Sequence, residues 1–73
     1  MLEYLRDFLE IVDVSGVNIK IWVMENGVEE ELWSGRAMDT PFWIANLKLD
    51  YYNAEDGKPI LFVDNCISVL VRD

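Results

Sequence analysis

A chain of 73 residues is one domain, and a domain this small buries only about 60% of the surface its unfolded chain exposes, so a core and a deep pocket compete for the same residues. Fourteen Asp and Glu against six Lys and Arg, with no histidine, give a formal charge of −8. That balance opposes direct binding to nucleic acid or anionic lipid, and the missing histidine excludes Ser-His-Asp and Cys-His sites.

The first element is expected as an amphipathic helix over Met1 to Val12, with Met1, Leu2, Tyr4, Leu5, Phe8, Leu9, Ile11 and Val12 recurring at helical spacing and Glu3, Arg6, Asp7 and Glu10 on the wet face. Its acidic polar face suits packing on protein rather than on a membrane surface, which favours Lys and Arg. "VSG" then stops it, with Gly16 suited to the left-handed conformation that ends helices.

A β-hairpin follows. Val17, Ile19, Ile21 and Val23 alternate with Asn18, Lys20, Trp22 and Met24, and Asn26-Gly27 suits the turn because both tolerate positive φ. Two registers compete, since a one-residue slip reverses every side chain of the second strand. A two-residue Asn-Gly turn places Leu32 with the Val/Ile face and Trp33 with Trp22. A three-residue loop with a bulge places Trp33 with Ile19 and Ile21, and Leu32 with Trp22 and Met24. In both registers Trp22 lies opposite the Val/Ile face.

"AMDTPFWIANL" reads as a short second helix, with Thr40 as N-cap, Pro41 in the first helical position and Asp39 as the alternative cap. Trp43 and Leu47 share a side and are candidates to cover the second face of the sheet, so that the two helices cover its two faces. "LKLDYY" alternates as a strand, with Tyr51 and Tyr52 on opposite faces, and "AEDGKP" is a loop. Two readings of the tail stay open. A turn at Asp64-Asn65 makes a hairpin of Ile60 to Val71, whereas an irregular crossing at "ILFVD" leaves Leu47 to Tyr52 and Cys66 to Val71 as the regular strands. The expected class is α+β over 1–73: amphipathic helix, hairpin, short helix and C-terminal strands in an antiparallel sheet of four or five strands.

The inventory for chemistry is poor. Glu29-Glu30-Glu31 and Glu55-Asp56 are the obvious carboxylate clusters, and both lie beside turns where solvent keeps them ionised, so no enzyme is expected. "DYYNAEDG" lacks the ligand order of an EF-hand, no phosphate-cradling glycine motif occurs, and no cofactor or metal site is assigned. Cys66 is alone, so no internal disulfide forms, and its apolar setting suits a buried small hydrophobe. The acidic amino terminus does not read as a signal peptide and no apolar run reaches the roughly 20 residues of a membrane span, so the expected setting is cytoplasmic.

Protein contact is the remaining class. The covered sheet faces are expected to bury most of the nine aromatics, with Trp22 reading as core first and interface second. For those left without an obvious burial place, Trp22, Met24, Trp43 and Tyr52 are the candidate contact surface, for a homodimer or for a host-protein partner. The alternative is an acidic decoy imitating DNA toward a nucleic-acid-binding protein, carried by Glu25, Glu29, Glu30 and Glu31. A further alternative is a small-ligand module whose aromatics line a cleft.

The acidic helix, "VNIKIWVMENGVEEELWSGRA" and "DTPFWIANL" together resemble small proteins without an assigned activity that recur in Gram-positive bacteria and their phages and mobile elements. The likeness spans roughly the first two thirds of the chain. It implies a small accessory protein and carries over no functional residue.

Overall fold

In the computed structural model, which describes residues 1–73, the amino terminus starts as extended chain and the first helix, α1, is confined to Leu5–Ile11. The expected helix over Met1 to Val12 is shorter because Asp7 caps it from inside. Its carboxylate accepts the Tyr4 N–H at 3.0 Å, and Tyr4 itself is opposed to Lys48 in an antiparallel bridge closed by Leu5 N–H to Leu47 C=O and Leu49 N–H to Glu3 C=O. Residues that pair with a strand cannot also wind into a helix. Gly16 does adopt positive φ, 71°, but in a separate turn beyond the helix end rather than at its cap.

The hairpin of β1, Asn18–Glu25, and β2, Val28–Arg36, closes through a two-residue turn in which Asn26 and Gly27 both take positive φ (52° and 80°) and Glu25 opposes Val28. Near the turn the pairing is the one that this turn dictates, with Trp22 opposite Glu31. One residue further on, Ile21 opposes Trp33, so Leu32 is the extra residue of a β-bulge. Beyond the bulge Trp33 shares a face with Ile19 and Ile21, as the second alternative expects, although the three-residue loop of that alternative does not form. The turn of one alternative is thus combined with the Trp33 facing of the other, and the gain is apolar burial: Leu32 and Trp33 are both half-buried and both pack on the core.

The rest of the chain adds α2, Phe42–Ala45, β3, Lys48–Leu49, β4, Ile60–Val63, and β5, Cys66–Arg72. The sheet runs β2-β1-β5-β3, with β4 pairing the first half of the β5 edge whose far end pairs β3. Its pairs are antiparallel except β1 with β5, which run parallel from Asn18 and Cys66 to Val23 and Val71. The tail is therefore the hairpin reading: Val63 opposes Cys66 across Asp64-Asn65, with Asp64 at φ 55°. The strand expected over Leu47 to Tyr52 stops at Leu49. Asp50 turns the chain, its carboxylate accepting the Asn53 N–H at 2.9 Å and the Asn53 side-chain N–H at 2.8 Å.

By alternation, Ile19, Ile21 and Val23 of β1 share one face with Ile67, Val69 and Val71 of β5. Leu5 and Phe8 of α1 and Ile44 of α2 join Ile19, Ile21, Ile67, Val69 and Val71 in a single core cluster. Both helices therefore lie on one face, which corrects the expectation that they divide the two faces between them. Thr40 does not cap α2, because its hydroxyl donates instead to the Ala37 carbonyl at 2.7 Å and closes a preceding 3₁₀ turn, Ala37–Asp39.

Candidate interaction surfaces

The second sheet face carries Lys20, Trp22 and Met24 from β1, Ser68 and Leu70 from β5 and Glu29 and Glu31 from β2. Leu70 is buried there although both α-helices lie on the other face. Trp22 stands directly beside it across the parallel ladder, and the loop after β3 brings Ala54, Glu55 and Pro59 to the other side. These groups enclose a cleft of about 190 Å³, below the roughly 300–1,000 Å³ typical of small-molecule sites. Trp22 and Met24 are half-buried, so Trp22 acts first as a wall that shields Leu70.

Trp43 is elsewhere. It is 61% exposed on α2, the element whose Ile44 and Ala45 are buried toward the core, and so lies on the helix side of the sheet. Tyr52 is 90% exposed in the turn after β3, and is not among the groups lining the Trp22 cleft. The structure therefore keeps Trp22 and Met24 together and separates Trp43 from them, so the four do not form one patch. Nor does Trp43 cover the second face. What Trp43 does have is a neighbour left out of the candidate surface: Phe42 is 84% exposed, and Met38, four residues earlier in the chain, is 60% exposed. The signal was the Pro41 position, since a one-turn helix with Ile44 and Ala45 directed inward has no face left to bury residues 42 and 43.

The acidic group is likewise divided. Glu29 and Glu31 oppose Met24 and Trp22 on the second face, whereas Glu30 opposes Val23 and Glu25 alternates with Met24 onto the other side. All four are exposed, and they form no single row.

A strand edge adds a surface that composition alone did not reveal. In a two-residue hairpin the closing pair is hydrogen-bonded, so Val63 and Leu61 bond to β5 while Phe62 and Ile60 turn their N–H and C=O groups outward. The bond from Leu70 N–H to the Pro59 carbonyl keeps the same parity. The outer edge of β4 pairs with no other strand, and Leu61, Phe62 and Val63 are 48–63% exposed. Phe62 rests edge-on against Phe8, with ring centroids 6.1 Å apart.

Cys66 is half-buried rather than buried, with its thiol 3.7 Å from the Ile67 carbonyl. One carboxylate is distinctly perturbed: the Ser15 backbone N–H, 3.0 Å away, and then the Ser15 side chain hold Asp13 below its ordinary value. No helix is long and apolar enough to cross a membrane. No family model, curated protein or solved structure matches this chain.

Proposed function

We propose that this is a non-enzymatic protein-interaction protein whose contact surface is centred on Phe42 and Trp43. The observation that carries this reading is the exposure of two adjacent aromatics, 84% and 61%, on a turn anchored from beneath by the fully buried Ile44. An anchored turn presents its aromatics with little conformational freedom left to lose, and large rigid aromatics are the side chains on which interfaces concentrate their binding energy. Met38, four residues before Phe42, is a further exposed apolar group, and the short β4 edge offers a second, backbone-bonding contact.

The partner in this reading is a different protein carrying positive charge around an apolar pocket. Two copies of a chain with a formal charge of −8 repel one another, whereas a basic partner is steered toward it. The test is affinity capture by wild-type protein and by the double variant Phe42→Asp, Trp43→Asp, washed at high salt. The reading requires a partner that survives the wash with wild-type protein and is lost with a variant that melts at the wild-type temperature.

A further inference from the structure

Three of the six cations in this acidic chain gather at one edge of the sheet. Lys48 and Arg72 are directly opposed across the β3–β5 ladder, and Tyr4 is opposed to Lys48 on its other side. The Arg6 guanidinium lies over the Tyr4 ring, 4.2 Å from its centroid, and donates to the Asn46 side-chain carbonyl at 2.9 Å. Like charges directly opposed across a ladder destabilise it. Neither Lys48 nor Arg72 takes part in the side-chain hydrogen bonds of the fold.

The same two side chains line an open depression of about 390 Å³, together with Leu2, Leu49, Tyr51 and one acid, Glu3. Its wall is fixed, because the Tyr51 hydroxyl donates to the Leu2 carbonyl at 2.6 Å. We infer that this depression binds the phosphate group of a small organic molecule, between the opposed Lys48 and Arg72 and against the apolar wall of Leu2, Leu49 and Tyr51. A guanidinium offers a planar fork and an ammonium a compact charge, a combination that suits a phosphate. The net charge of −8 keeps large polyanions away and leaves a small anion able to reach the site. Neither Phe42 nor Trp43 lines this depression, so the inference stands independently of the protein-contact reading.

Thermal melting in inorganic phosphate, in phenyl phosphate and in sodium chloride at matched ionic strength tests it. Both phosphates are expected to raise Tm above the chloride control, phenyl phosphate by more, with a rise of roughly 6–11 °C at ten times its dissociation constant. Lys48→Glu places a carboxylate opposite Arg72, so it is expected to melt higher than wild type in chloride and to lose the phosphate-specific rise. Arg72→Gln, at an exposed position, is expected to lose that rise as well, and Glu3→Gln to enlarge it. A wild-type Tm in phosphate equal to that in chloride overturns the inference, as does a phosphate-specific rise that survives Lys48→Glu and Arg72→Gln. Equal rises from the two phosphates overturn the organic part of the assignment.

Discussion

The indole of Trp33 lies across Gly35: a Cβ built on Gly35 would stand 3.0 Å from both Cη2 and Cζ2 of that ring. The two residues oppose Ile21 and Ile19, so they share the core-facing side of β2, and the ring occupies the space that any side chain at 35 would need. The bulge at Leu32 and the glycine at 35 are parts of one arrangement. The first turns Trp33 toward the core, and the second lets its ring lie flat along the strand.

Gly35→Ala should therefore destabilise the fold by about 1–2 kcal/mol, although alanine normally exceeds glycine inside a strand. In a double-mutant cycle with Trp33→Leu the penalty should shrink, because the shorter side chain vacates the site. Equilibrium urea unfolding of the four proteins measures this. A Gly35→Ala protein more stable than wild type would show that the indole does not rest there.

Asp50 is 1% exposed, and both of its carboxylate oxygens are used by Asn53. Its N–H also bonds to the Leu70 carbonyl, so the turn that ends β3 is tied to the central strand β5. Asp50→Ala leaves the Asn53 donors without their partner and should cost about 1–3 kcal/mol, whereas Asp50→Asn should cost less because one acceptor oxygen remains. Chemical denaturation of the two variants gives the order, and equal losses would contradict it.

Trp22→Ala should cost about 1–2 kcal/mol, less than the roughly 3–5 kcal/mol of a fully buried Trp, because the ring is half-buried and covers one buried residue, Leu70. Trp22→Glu should cost more than Trp22→Gln, since it opposes Glu31 directly, and the gap between them should narrow as salt is added. Thermal melts at two ionic strengths decide the matter. A loss as large as that of a core tryptophan would place Trp22 inside the fold.

Most elements of this fold were legible because their signals are local. The Asn26-Gly27 turn, the alternation of β1 and the branched run of β5 each follow from a few consecutive residues. What was not legible depends on pairings distant in sequence. Nothing in "MLEY" announces that Tyr4 will meet Lys48, and a helix was the better local reading. The bulge at Leu32 resolves a competition between turn geometry and core burial that either register alone would lose. On the surface, the aromatics were legible as a surplus. Their division between the sheet face, at Trp22, and the helix side, at Trp43, follows only once both helices are known to share a face.

Acid should weaken the segment between α1 and β1 through Asp13. The Ser15 hydrogen bonds hold the carboxyl below its ordinary value of 3.8 in the folded chain, so it favours folding above that value and loses its contribution as pH falls through the lowered one. The stability difference between wild type and Asp13→Ala should therefore be constant near neutrality and shrink below about pH 3.8. Urea titrations across the acid range test this, and a difference that grows with acidification would reverse the sign.

The central claim, contact through Phe42 and Trp43, is tested most directly by capture at high salt with the double variant Phe42→Asp, Trp43→Asp beside the wild type. Both side chains project outward, so the variant should melt within a few degrees of wild type, and it should lose a partner that wild-type protein retains. A partner held equally by both proteins would contradict the claim, as would a wild-type protein that retains none.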